Sequence, residues 1–158
     1  MKDSRFRKVE RVLYDLPKLR VEVQNLRLDL EDAKEVVGIR GASGNEKAGS
    51  STNAFSSVVE SEVLQREKDL RNKITTITHE LQRKERELQR IENALKLLTE
   101  KEMLIVEFRY FKDYPINRVC DLLDITPTTF NKRRKRIVED KLIPLISNKV
   151  HEKYIKSV

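Results

Sequence analysis

Tryptophan is absent and aromatic residues make up only 6% of the 158-residue chain, which excludes a broad core built on large rings. The single cysteine, Cys120, excludes an intrachain disulfide framework, and no Cys/His group has the spacing of a metal site. Glycine and proline are scarce, with four of each, so ordered segments between turns are long. No run approaches the ~18 apolar residues that a membrane span needs. The opening MKDSRFRKVE is charged where a secretion signal requires an apolar stretch. These absences lead us to expect a cytoplasmic protein without membrane, metal or cofactor.

What is present is charge. Thirty-three Lys+Arg stand against 26 Asp+Glu, a net charge of +7, and charged residues form 37% of the chain. Such a balance fits a solvated, extended, all-α protein with a polyanionic partner. No window alternates with period two between turn signals, so no strand is expected.

All four glycines fall within GIRGASGNEKAGSSTNAFSS, read as a loop over residues 38–56 because glycine and serine weaken helix and supply loop freedom. Before it, Val12, Leu16, Leu19, Val23, Leu26, Leu30, Ala33 and Val37 step by fours and threes, a heptad seam. Pro17 is harmless only in a helix's first turn. A short leading helix over residues 3–15 is therefore expected to break at Leu16 and restart at Pro17. After the loop, Ser57 and Glu60 have capping-box spacing. A second seam follows through Val63, Glu67, Leu70, Ile74, Ile77, Leu81, Lys84, Leu88, Ile91, Leu95 and Leu98. That helix would span roughly 54 Å, too long to bury alone. It needs a partner helix, either the first segment folded back or a second copy of the chain, so a homodimer through the coiled coil stays open. Residues 1–98 are thus read as a helical coiled-coil region.

Thr99 and Glu102 repeat the capping-box spacing and open a separate unit over residues 99–146, followed by a tail over 147–158. The unit reads as a helix from Glu100 to about Phe111, a turn over Lys112–Tyr114, a short helix from Pro115 to Leu123, a turn over Asp124–Thr126 and a longer helix from Pro127. Pro144 and the tail are expected to fray. Thr126 suits an N-cap, Pro127 the first helical position, and Asp124 a left-handed turn position. Cys120, Ile125 and Phe130 are expected in the shared core, together with Ile137, Val138, Leu142 and Leu145, with the stem of Arg134 along its edge.

Two short helices of this kind, the second beginning TPTTFNKRRKR, meet the requirements of a DNA-binding helix-turn-helix. Thr129, Lys132, Arg133 and Arg136 share one helical strip, with Thr128, Asn131 and Lys135 on the adjacent one. Thr128, Thr129, Asn131 and Lys132, near the helix start, are placed for base edges. Arg133, Lys135 and Arg136 suit phosphates. A charge run alone is more often a solvated face; here it occupies one helix of a correctly spaced pair whose other helix lacks comparable charge.

LTEKEMLIVEFRYFKDYPINRVCDLLDITPTTFNKRRKRIVEDKL resembles the promoter-reading region four of bacterial sigma factors, through its leading LT-x-x-E, the RYF ending the first helix and the helix-turn-helix after it. The whole chain, from about Val12 to Ile143, resembles the RinA-type family of phage transcriptional activators and the related ArpU-type late-gene regulators. The shared features are VLYDLPKLRVEVQNLRLDL, a Gly/Ser-rich stretch, a long helix ending in RIENALKLLTEKE and then the sigma-like domain. Cys120 and Asp124 stand where that family more usually has Ala and Gly. The resemblance implies a sequence-specific regulator that activates late phage genes in a bacterial host cell, binding double-stranded DNA and engaging host RNA polymerase.

Other motifs carry less. Gly44 to Ser50 miss a phosphate-binding loop, lacking both the lysine after the second glycine and a preceding strand. His79, His151 and Cys120 have no catalytic neighbours in the pattern. No enzyme is expected. The competing function is a DNA-packaging subunit like a small terminase, which also joins a helix-turn-helix to an oligomerising helical region.

Overall fold

Long apolar seams without internal caps favour long helices, and helix is the only regular structure among the described residues. This computed structural model describes residues 4–43 and 56–146. It has five helices. They are α1 (Ser4–Ser43), α2 (Ser56–Leu95), α3 (Glu100–Val106), α4 (Ile116–Leu123) and α5 (Pro127–Arg136). Helix α3 continues as a π-helical segment over Glu107–Phe111. Helix α5 continues through a π-helical segment, Ile137–Leu142, into a last α turn, Ile143–Ile146.

Several expected boundaries are corrected. Helix α1 does not break at Leu16 but runs straight through Pro17. A mid-helix proline costs about 3 kcal/mol or more. Leu13 and Leu16, in the turn just before it, are both 0% exposed, and burying each contributes about 1.5–3 kcal/mol, enough to outweigh that cost. The first part of the loop expected from residue 38 is helix instead, because α1 continues through Gly38 and Gly41 to Ser43. Once a long helix exists, each added glycine costs only about 1 kcal/mol relative to alanine. The rest of that loop, residues 44–55, lies outside the described residues.

Helix α2 begins at Ser56, which puts Ser57 inside it rather than at its cap; the side-chain half of that capping box is outside the described residues. The same helix ends at Leu95, not Leu98. Its last residues tighten instead, with Leu97 N–H donating to the Ala94 carbonyl at 3.3 Å and Leu98 N–H to the Leu95 carbonyl at 3.0 Å. Pro144 does not fray but lies in the last α turn. Leu145, expected in the core, is 46% exposed: the π-helical segment before it adds residues to the turn and rotates it away from the Phe130 face. The tail over 147–158 is outside the described residues.

Packing divides the chain into two units. One joins the start of α1, up to Arg20, to everything from Arg86 onward. Its continuous core contains Phe6, Val9, Leu13 and Leu16 from α1, Ile91, Ala94 and Leu95 from α2, and Ile105, Val106, Tyr110, Val119, Cys120, Phe130, Ile137, Val138 and Leu142 from the later helices. Thr99 caps α3 as its spacing requires: its hydroxyl accepts from Glu102 N–H at 3.4 Å while its own N–H donates to the Glu102 carboxylate at 2.9 Å.

The second unit, Val21–Glu85, contains a stretch of α1 and a stretch of α2 lying alongside each other in one chain. Lys84 donates to Glu22 at 2.7 Å and Arg27 to Glu85 at 2.7 Å. Val23, Ala33 and Leu81, three of the seam positions, are buried. Lys84, an interruption of the apolar seam, thus occupies its place by an ion pair with its side chain only 19% exposed.

Candidate nucleic-acid interface

The site is built from α4, a tight turn and α5. Pro115 in extended conformation leads into α4, which ends where Asp124 adopts the left-handed conformation at φ 49° and ψ 52°. Aspartate tolerates that region better than most residues other than glycine. The reversal is closed by Ile125 N–H donating to the Cys120 carbonyl at 3.0 Å. Thr126 then caps α5, its hydroxyl accepting from Thr129 N–H at 3.2 Å, and Pro127 takes the first helical position. Val119, Cys120 and Phe130 are buried between the two helices at 0%, 5% and 0% exposure. Burial pushes the Cys120 thiol up, with Asp121 adding to the effect, so it stays protonated as a small core residue.

This packing turns the other side of α5 outward. Thr128, Asn131, Lys132, Arg133, Lys135 and Arg136 are exposed, and together they form one donor-rich surface. Thr129 is only partly exposed. Its hydroxyl lies 2.9 Å from that of Thr126 and belongs to the cap. Lys135 lies 3.7 Å from Glu139 one turn on, an exposed pair of the kind that contributes little.

Arg134 behaves differently from its neighbours in the basic run. Its Nε and Nη2 donate to the Glu10 carboxylate at 2.8 and 2.7 Å, both side chains being 16% exposed, and its guanidinium sits 5.5 Å from the Phe6 ring. Burial acts to lower the Arg134 pKa, but the hydrogen bond to Glu10, the Glu10 charge and Tyr110 together outweigh it and the net shift is upward. Glu10 also accepts from the Tyr110 hydroxyl at 2.8 Å. Burial, and then this bond to a carboxylate, push the Tyr110 hydroxyl far above its ordinary range. Around this knot, Tyr14 meets Tyr110 edge to face at 5.0 Å and Arg109 lies 5.5 Å above Tyr14. On the α4 side, the exposed Arg118 stacks 4.1 Å above Tyr114.

Sequence reasoning placed the stem of Arg134 on the core edge but missed its partner. Glu10 is 124 residues away, and no local spacing rule reaches that far. Among the described residues, no group of three His, Cys, Asp or Glu could hold a metal ion, and no helix is long and apolar enough to cross a membrane. Set against family models, curated proteins and solved structures, the chain matches none of them.

Proposed function

We propose that the chain is a sequence-specific DNA-binding regulator of transcription, a RinA-type phage activator whose sigma region-four-like helix-turn-helix inserts α5 into the major groove. The observation that carries this reading is the exposed donor face of Thr128, Asn131, Lys132, Arg133, Lys135 and Arg136 on a capped helix whose opposite face is buried. An α-helix fits the major groove of B-form DNA, and side chains near its start reach base edges while later cations meet phosphates. Thr129 contributes through the cap rather than as a free hydroxyl. Host RNA polymerase, contacted from the bound site, is the partner through which the resemblance implies activation.

The reading includes a homodimer in which coiled-coil pairing continues beyond the intrachain stretch. Val58, Val59, Val63 and Leu64 in the first turns of α2 are each at least 50% exposed. A second copy matches them in charge as well as in apolarity. If two α2 helices pair antiparallel about Val63, Glu60 of one copy lies opposite Arg66 of the other.

The test is selection of bound duplexes from a random DNA pool at about 150 mM salt, where weak backbone attraction is largely screened. One enriched motif is the expected result, as two copies at fixed spacing for a dimer. Binding without enrichment would overturn the sequence-reading role and favour DNA packaging by a small terminase-like ring. Asn131→Ala should change the selected motif, whereas Arg136→Gln should weaken binding to every sequence alike.

A further inference from the structure

We infer that Glu10, near the start of α1, is a positioning residue for base readout: through Arg134 it fixes the rotation of α5 about its own axis, and so decides which way the reading side chains point. This rests on the DNA-binding reading of α5 and names a residue behind that helix on which its selectivity depends. One face of α5 and of its π-helical continuation is buried, with Phe130 at 0%, Ile137 at 1% and Val138 at 0% exposure. Arg134 stands on the same face, four residues after Phe130 and four before Val138. It is the polar member of an otherwise apolar stripe.

Apolar burial is non-directional, so a stripe of hydrophobic side chains alone tolerates a small rotation. A guanidinium does not, because its donors lie in one plane and point in fixed directions. Nε and Nη2 of Arg134 donate to the same Glu10 oxygen, Oε1, at 2.8 and 2.7 Å, and the Tyr110 hydroxyl donates to that oxygen at 2.8 Å. Phe6 lies against the guanidinium at 5.5 Å. Both members of the ion pair are only 16% exposed, which shields it from the water and salt that weaken surface pairs. The Thr126 cap pins the start of α5, and Arg134 pins the helix two turns later from behind. Holding Arg134 inward therefore fixes the directions of Thr128, Asn131 and Lys132 on the outside. A rotation of about 20° would carry a side-chain tip on a helix of this width by about 2 Å, more than a hydrogen bond to a base edge tolerates. Buried ion pairs add little to stability but can select one arrangement among several of similar energy.

The experiment measures the affinity of the full chain for the duplex selected from the random pool and for a scrambled duplex of equal length, and reads their ratio. E10A should lower that ratio about tenfold, as much as one lost base contact, by weakening binding to the selected duplex alone. R134K keeps the charge but not the fork, so it should lower the ratio in the same sense, and it carries the test if E10A does not fold. Y110F removes a hydrogen bond to the same carboxylate while leaving Arg134 its acceptor. It should lower the denaturant midpoint and keep the wild-type ratio. A wild-type ratio in E10A and R134K overturns the positioning role and leaves the α5 reading standing. A fall in Y110F equal to that in E10A reduces the effect to a loosened core and overturns the role as well. A wild-type chain that enriches no duplex overturns the α5 reading and the positioning role together.

Discussion

The two units solve different problems with the same kind of helix. Among the described residues of Val21–Glu85 the buried hydrophobics are Val23, Ala33 and Leu81, with Leu26, Leu30, Leu70, Ile74 and Ile77 partly buried and ion pairs at partly exposed flanks, Glu22 with Lys84 and Arg27 with Glu85. In the unit that joins α1 up to Arg20 with the chain from Arg86 onward, Leu13, Leu16, Ile105, Val119, Val138 and Leu142 are all at 0% exposure, gathered from segments far apart in sequence. A seam needs one apolar position in every three or four and yields length. A core needs side chains from several directions and yields a fixed surface on its outside. The candidate interface is on the unit with the core, whose packing holds α5 in one orientation.

The contrast is broken or sharpened by substitution, measured by denaturant unfolding of the full chain. Phe130→Ala, removing the largest fully buried side chain, should cost about 3–5 kcal/mol. Leu81→Ala, at 7% exposure in the second unit, should cost about 2 kcal/mol, at the low end for a buried leucine; equal losses would mean that the seam is packed as tightly as the core. Glu10→Ala should cost about 2 kcal/mol, since Arg134 and the Tyr110 hydroxyl both lose their acceptor in a largely buried place. Its counterpart Glu85→Ala, with Arg27 59% exposed, should change stability by less than about 0.5 kcal/mol.

Smaller effects test the joints. Thr99→Ala removes the α3 cap and should cost about 1 kcal/mol. Asp124→Gly should stabilise by about 0.5–1 kcal/mol, because glycine adopts φ 49° without the Cβ penalty; a loss there would show that the aspartate side chain contributes more than its backbone costs. The smallest effect concerns pH. Burial acts to raise the Glu102 carboxyl, but hydrogen bonds from Lys141 and from Thr99 outweigh it and leave its pKa lowered. A depressed folded-state pKa contributes stability that is present above the ordinary glutamate value and lost as pH falls through the folded one. Stability should therefore fall on acidification below the ordinary glutamate range, and Glu102→Gln should flatten that fall.

Much of the candidate interface was legible because its signals are local. Thr126, Pro127, Thr99 and Glu102 act within one helical turn, and a cap or a first-position proline acts the same way wherever it occurs. Part of the seams was legible for a similar reason, since a period of three and four needs no knowledge of the partner: Leu16, Val23, Ala33, Leu81, Ile91 and Leu95 are buried, whereas Val63 is 50% exposed. Leu13 was not among them, although it is fully buried. It lies off the heptad seam, on a face that the later helices cover and a two-helix pattern does not anticipate. Pro17 misled because its cost is local while the burial that overrides it comes from the whole unit.

The sequence by itself determined that the chain is helical, where α3 and α5 begin, that Asp124 takes the left-handed turn, and which residues of α5 are cationic. Each of these is decided within a few residues by propensity, capping or charge. Only the tertiary structure decided that α1 runs unbroken past Pro17, that Tyr110 and Arg134 share Glu10, and that one arginine of the basic run turns inward while its neighbours face solvent. Those outcomes depend on which surfaces meet, and the free energy of burial and ion pairing between segments a hundred residues apart is written in no single segment.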